Sequence, residues 1–234
     1  NTLPFINAQD SGHRIAIRQN SQGNPEFYDS VTLKKFTPVG NSYIITEKIN
    51  VYQPKYAWAD YRNQLVDYNV LLEPGYYNPD KINADLKAMK DRGYNIVRIQ
   101  ISHASHISRT LNQIYLSNLA DFIRIARDNN LHVILAFGFI PKTYNDLMPE
   151  INPNIEGFNN YFMNPGAINA LVKYNLDVLD SIKQRDPALL DNVFSVEPIT
   201  EPFFLTQAKP FSLNTGMISF NGKKYDMSNA VQRQ

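Results

Sequence analysis

Strand-type and helix-type patterns alternate along most of this chain, and that alternation restricts the fold more than any other feature. Helical patterns begin at Asn78-Pro79, near Leu116 and at Asn164-Pro165, and each has apolar residues at three- and four-residue spacing. An apolar strand pattern follows each helix, at residues 95–102, 131–140 and 193–204. Successive strand–helix–strand units predict a parallel sheet with helices packed outside it.

Side-chain spacing predicts which face of each element is buried. The expected buried stripes are Ile82, Leu86 and Met89 in the first helix, Leu119, Phe122, Ile123 and Ala126 in the second, and Ile168, Leu171, Val172, Leu179 and Ile182 in the third. Apolar and polar side chains alternate in residues 95–102, so one face of this strand is apolar and the other carries Arg98. In a barrel Arg98 would point into the lumen, where a buried guanidinium needs a carboxylate partner. Glu197 is interpreted as a structural residue that pairs with it.

The remaining segments give weaker patterns. Residues 1–50 predict short strands and turns, with a strand at 36–45 entering the core. Residues 52–77 lack periodicity and predict a long aromatic-rich loop, in which Trp58 is a candidate for stacking on a sugar or for packing over the barrel rim. Asn221-Gly222 predicts a hairpin within 211–225, and residues 226–230 predict the start of a helix.

Composition excludes several functional classes. Net charge is +1 and no run of Lys or Arg exceeds two residues, so no nucleic-acid partner is expected. No apolar run approaches the roughly 18 residues of a membrane span, so no membrane partner is expected either. The absence of Cys excludes disulfides and thiolate chemistry, and no nucleotide-binding or serine-hydrolase motif occurs. We expect no cofactor. The chain begins at Asn1 and shows no signal-peptide pattern, so either a signal was removed or the chain was cut; we expect a processed protein that is secreted or otherwise exported.

Glu201 is the most informative titratable residue. It follows the apolar run that begins at Val193, and Pro202 stiffens the chain after it. In (β/α) barrels the working groups lie at the C-terminal ends of strands, where a Glu can act as a general acid. The alternative is an ordinary solvated loop carboxylate.

The histidines carry little signal for metal binding. His103 and His106 are three residues apart and could both ligate a metal if their loop were helical, but two ligands do not make a zinc site. We therefore expect no metal. His132 begins an apolar strand and is interpreted as a structural residue.

Three motifs occur in a familiar order: Phe36-Thr-Pro-Val-Gly-Asn, then Tyr76-Tyr-Asn-Pro followed by Gly93-Tyr-Asn-Ile-Val-Arg, then Val196-Glu-Pro-Ile-Thr-Glu-Pro. Together they resemble the N-terminal half of the cellulase-like glycoside hydrolases, the (β/α)8 retaining enzymes of family 5. The resemblance implies a TIM barrel of which this chain contains about the first four βα units. Residues 1–30 would be N-terminal strands and turns, and residues 31–234 the N-terminal portion of the catalytic barrel.

The resemblance also implies roles for individual residues. Glu201 matches the acid/base at the end of the fourth strand, Arg98 the arginine that pairs with the nucleophile, and His103 a polar residue lining the pocket. Thr200 stands where the family usually has an Asn that binds the sugar 2-hydroxyl. A hydroxyl is shorter and offers one donor, so substrate choice or activity is expected to differ.

Two functions are consistent with these observations. The first is a retaining glycoside hydrolase acting on β-linked glucans, mannans or smaller glycosides. Its nucleophile would be a Glu outside this chain, because Glu197 is about 13 Å along the strand from Glu201, whereas retention needs about 5–5.5 Å. The partners would then be the carbohydrate and the C-terminal half of the barrel. The second is a non-catalytic carbohydrate-binding or scaffold protein on a decayed barrel.

Overall fold

The computed structural model describes residues 14–50, 65–101, 106–107, 110–138, 155–156, 159–200, 204–220 and 222–233. Its strands are β1 (Ile15–Gln19), β2 (Pro25–Asp29), β3 (Gly40–Ser42), β4 (Thr46–Asn50), β5 (Leu65–Asn69), β6 (Ile96–Ile101), β7 (His106–Ile107), β8 (Thr110–Leu111), β9 (His132–Phe137), β10 (Val193–Glu197), β11 (Met217–Phe220) and β12 (Lys223–Asp226). The helices are α1 (Pro79–Asp91), α2 (Gln113–Asp128), α3 (Asn159–Met163) and α4 (Pro165–Arg185), and a 3-10 helix spans Pro187–Asn192. Among these residues, none of the helices has the length and apolar character that a membrane crossing requires.

A four-stranded parallel sheet forms the centre of the structure, in the order β3-β6-β9-β10. Strands adjacent in the sheet are consecutive in the βα repeat, and α1, α2 and α4 connect them. The outer face is apolar and buried, as Val97, Ile99 and Ile101 on β6 illustrate. The parallel sheet and its outer helices were predicted from the sequence, and both are confirmed.

Asparagine caps begin the three long helices. The side chains of Asn78, Asn112 and Asn164 each accept a hydrogen bond from a backbone N–H in the first turn of α1, α2 and α4. Proline follows Asn78 and Asn164, where the missing N–H costs nothing. Local sequence therefore fixes where each helix starts.

Tyrosine–carboxylate hydrogen bonds tie the connecting segments to the helices. The Tyr43 hydroxyl donates to Asp85 on α1, and the Tyr77 hydroxyl donates to Asp121 on α2, each at 2.7 Å. Burial, followed by the hydrogen bond to a carboxylate, raises the pKa of both tyrosines above the ordinary value. Both hydroxyls therefore remain protonated donors at neutral pH.

The hairpin of β1 and β2 covers the N-terminal end of the sheet. Phe27 packs edge-on against Phe194, with ring centroids 5.1 Å apart, and Phe36 contacts both Phe194 and His132. His132 is buried, which lowers its pKa, and its Nδ1 has no hydrogen-bond partner in the described part of the chain. The neutral ring is a packing element, in agreement with its interpretation as structural. The opposite, C-terminal end of the sheet is the one with the candidate site.

The predicted buried stripe of α4 was wrong in part. Leu171 and Ile182 are buried, but Ile168 and Val172 are exposed and form a second stripe with Leu176. The helix instead buries the neighbouring face, which consists of Ala167, Ala170, Leu171, Tyr174, Val178 and Ile182. The sequence of α4 has two adjacent apolar stripes, and the one with two alanines allows the closer approach to the sheet.

Three other segments also differ from their predicted structure. The predicted loop at 52–77 contains β5, which pairs antiparallel with β4; the loop's residues 52–64, Trp58 among them, lie outside the described residues. The short helix α3 lies within the predicted loop before Asn164. Residues after β12 form turns and not a helix, because the Asp226 side chain accepts hydrogen bonds from Ser228 and closes a turn. The predicted hairpin at 211–225 is confirmed as β11 and β12.

A matched pair of substitutions on α4 tests which face packs. Val178 is fully buried and Val172 is 51 % exposed. Val178→Ala should lower the free energy of unfolding by about 2 kcal/mol, because it removes buried methyl groups and leaves a cavity. Val172→Ala should change it by less than about 0.5 kcal/mol. Urea unfolding of both variants checks this, and equal losses would contradict the observed helix orientation.

Candidate functional site

The C-terminal end of the sheet continues beyond its strands through single hydrogen bonds. The Thr200 amide donates to the Phe137 carbonyl at 2.7 Å, and the Gly138 amide donates to the Ile101 carbonyl at 3.3 Å. β10 itself ends at Glu197, so residues 198–200 carry the chain along the end of β9. Thr200 therefore lies at the C-terminal edge of the parallel sheet, where catalytic groups of barrel enzymes are found.

An ion pair joins the inner face of β6 to that of β10. Arg98 Nε donates to Glu197 Oε1 at 2.8 Å, and Arg98 Nη2 donates to Glu197 Oε2 at 2.7 Å. This two-bond geometry is the strongest form of the arginine–carboxylate interaction. Arg98 Nη1 also donates to the Ser42 hydroxyl on β3, at 3.4 Å. The predicted pairing of Arg98 with Glu197 is confirmed.

Glu197 is held in its ionised form by this pair. Hydrogen bonds from Arg98 lower the pKa of the Glu197 carboxyl below its ordinary value, and the positive charge adds to that effect. A general acid needs a raised pKa so that it carries a proton at working pH. Glu197 is therefore suited to fixing the guanidinium and not to donating a proton.

Thr200 has a half-buried side chain. Its Oγ1 is shielded from solvent and has no hydrogen-bond partner in the described part of the chain. A buried hydroxyl without a hydrogen-bond partner destabilises the folded protein. A ligand that formed a hydrogen bond with it would remove that penalty, and its binding free energy would be more favourable.

Three of the predicted site residues, Glu201, His103 and Trp58, lie outside the described residues. The same holds for the His106 side chain, so the metal interpretation of the two histidines stays untested. Within the described ranges, no three His, Cys, Asp or Glu side chains come close enough together to hold a metal ion. Arg98 and Thr200 are the predicted site residues that the structure describes. Their substrate-binding and supporting roles stay predictions.

Sequence reasoning missed an asparagine that anchors the loop after residue 204. Asn159 is fully buried, and its amide nitrogen donates to the Leu205 and Lys209 carbonyls at 3.0 and 2.9 Å. The Leu205 amide donates in return to Asn159 Oδ1 at 2.8 Å. Asn159 carries no sequence signal for such a role, because its partners lie 46 and 50 residues away along the chain.

Comparison with known proteins agrees with the motifs. A family model described as cellulase (glycosyl hydrolase family 5) matches residues 50–165. No curated protein matches the chain. One similar solved structure is the exo-beta-1,4-mannosidase Op5Man5 from Opitutaceae bacterium strain TAV5, with 18 % sequence identity and a TM-score of 0.45. The similarity covers 76 % of this chain and 27 % of that one, so this chain spans about a quarter of the mannosidase's length.

The parallel sheet, its outer helices and the family match define a partial (β/α)8 barrel. The resemblance to the cellulase-like glycoside hydrolases of family 5, predicted from the sequence motifs, is confirmed. Glycosidase-type chemistry on β-linked sugars is the activity associated with that family.

The Arg98–Glu197 pair generates a pH-dependent prediction. Because the pKa of Glu197 is lowered on folding, the pair stabilises the protein above the ordinary pKa of 4.5, and that stabilisation is lost as the pH falls through the lowered value. Both side chains are partly exposed, at 25 % and 38 %, and solvent screening limits their coupling to about 1 kcal/mol at pH 7. A double-mutant cycle with Arg98→Met and Glu197→Gln, measured by urea unfolding, should give that value at pH 7 and about zero at pH 3. A coupling energy that is the same at both pH values would contradict the ion pair.

Proposed function

We propose that this protein is a retaining glycoside hydrolase that cleaves β-linked glycosides or polysaccharides of the β-glucan or β-mannan type. Glu201 is its general acid/base, and the nucleophile is a Glu outside this chain. The observation that carries the proposal is the hydrogen bond from the Thr200 amide to the Phe137 carbonyl. It anchors the residue directly before Glu201 at the sheet edge where barrel enzymes keep their catalytic groups.

The proposed reaction takes place in two steps. Protonated Glu201 first donates its proton to the glycosidic oxygen while the nucleophilic carboxylate attacks the anomeric carbon, so the leaving sugar departs as an alcohol. Ionised Glu201 then takes a proton from water, and the resulting hydroxide displaces the enzyme carboxylate from the anomeric carbon. Two inversions at that carbon give net retention of configuration.

The electrostatics of the described inner face support this division of roles. Glu197 is fixed as an anion by Arg98, so it does not compete with Glu201 as the proton donor. The edge of the Arg98 guanidinium that carries Nε and Nη2 donates to Glu197, while Nη1 makes a longer contact to Ser42. We propose that Nη1 also faces the nucleophile when the remaining strands of the barrel are present. His103 and Trp58 are proposed to contact the sugar.

The proposed partners of the protein are the carbohydrate and the C-terminal half of the barrel. We also propose that residues 31–234 are the N-terminal portion of the catalytic barrel and that residues 1–30 are N-terminal strands and turns leading into it. Secretion fits an enzyme acting on polysaccharides that cells cannot take up.

Thr200 favours a second candidate, a non-catalytic carbohydrate-binding protein. The family places an amide where this chain has a hydroxyl, and that hydroxyl has no partner in the described part of the chain. A site that has lost its catalytic pair but still binds sugar would tolerate such a change. The activity of the Glu201 variant separates the two candidates.

Glu201→Gln in the full-length protein should lower kcat/KM for unactivated β-glycosides by about 10²–10⁴-fold, because proton transfer to the leaving group is lost. The high-pH limb of the rate profile, which reports the acid's protonated form, should disappear with it. Glu26→Gln on the N-terminal hairpin is the matched control and should leave the rate unchanged. Equal rates for Glu201→Gln and the natural protein would end the acid/base assignment.

A further inference from the structure

We infer that Phe204 is a stacking platform for a pyranose ring of a β-linked oligosaccharide, next to the proposed catalytic centre. The inference rests on the proposed function for its location and names a sugar-binding residue for that site. Phe204 has a large aromatic side chain, and 52 % of the residue is exposed to solvent, which is unusual for a phenylalanine.

Two other phenylalanines fix the ring of Phe204 in place. Its centroid lies 5.6 Å from that of Phe162 and 5.6 Å from that of Phe211, with interplanar angles of 74° and 65°. These are edge-to-face contacts, which hold a ring through its rim or through one face. The exposed part of the Phe204 ring is therefore held in one orientation.

The backbone beside Phe204 is equally constrained. Leu205, the next residue, exchanges two hydrogen bonds with the buried Asn159, and Lys209 is bonded to the same amide. The Glu156 amide also donates to the Lys209 carbonyl at 3.0 Å. Binding on a surface that is already ordered costs little conformational entropy, which is the condition under which a single stacking contact contributes usefully to affinity.

The location connects the platform with the proposed chemistry. Phe162 comes from α3, in the connection after β9, and Phe204 comes from the connection after β10. Connections after parallel strands meet at the C-terminal edge of the sheet, the edge to which the Thr200 amide is bonded. Phe204 follows Glu201 by three residues.

The chemistry around the ring fits a sugar better than a purely apolar ligand. The loop that carries Phe204 also has exposed hydrogen-bonding side chains, Thr206 and Gln207, and an exposed ion pair between Lys209 and Glu156 at 2.9 Å. A pyranose has an apolar C–H face for the ring and hydroxyls on its rim for such groups. These groups are paired with one another, and their exposed atoms can also hydrogen-bond to sugar hydroxyls, which an aliphatic or aromatic ligand lacks.

The test measures binding of cellopentaose and mannopentaose by calorimetry to the full-length Glu201→Gln protein, in which cleavage during the titration is slowed, with Phe204 retained and with Phe204→Ala, Phe204→Leu or Phe204→Trp. We expect Phe204→Ala and Phe204→Leu to weaken binding of at least one of the two sugars by about tenfold and Phe204→Trp to preserve it, because stacking needs a flat ring. Phe27→Ala removes a partly exposed phenylalanine at the opposite end of the sheet and should not change the affinity.

Three results would overturn the inference: no binding of either sugar when Phe204 is retained, equal affinities in all the Phe204 variants, or full affinity in Phe204→Leu. The last result would show that the side chain supports the loop through apolar packing alone. Turnover by Glu201→Gln with Phe204 retained is measured in parallel. Normal binding by that variant together with normal turnover would refute the acid/base proposal and leave the platform intact, so the two failures are distinguishable.

Discussion

The Arg98–Glu197 pair is the interaction on which the inner face of this sheet depends. A parallel sheet in a barrel is apolar on its outer face, and its inner face must be filled by residues that satisfy one another. Here the second and fourth strands of the sheet are joined by two charge-assisted hydrogen bonds of 2.7 and 2.8 Å. Because Arg98 holds Glu197 as an anion, we propose the next carboxylate along the chain, Glu201, for the acid–base chemistry.

The candidate site has two parts, the four-stranded sheet as its base and the loops at the C-terminal edge of that sheet. The base is the four-stranded sheet, with Val97, Ile99 and Ile101 packed under the helices. The edge is held by the Thr200–Phe137 hydrogen bond and by Asn159, which binds the loop after Phe204 at two points. Catalytic groups need positional precision, and loops provide it only when their backbone is fixed in this way.

Sequence patterns predicted the elements whose information is local. Asn78-Pro79 and Asn164-Pro165 gave helix starts because capping involves residues within one turn, and the alternation around Arg98 gave both faces of β6. Prediction failed where the packing of a residue depends on residues far away in the sequence. The α4 stripe was wrong because two apolar stripes fit the spacing and tertiary packing selects one, and Asn159 was missed because its partners lie 46 and 50 residues away. For the site, Arg98 and its partner were predictable from the need to neutralise an inward-facing charge.

Chemical rescue tests the central claim, that Glu201 is the acid/base of a retaining mechanism, most directly. Glu201→Ala in the full-length protein should form a glycosyl-enzyme from an aryl β-glycoside with a good leaving group but hydrolyse it slowly, because water is no longer deprotonated. Azide needs no general base, so it should restore turnover and give the β-glycosyl azide, identified by the coupling constant of its anomeric proton. Absence of rescue, or formation of the α-azide, would contradict the account.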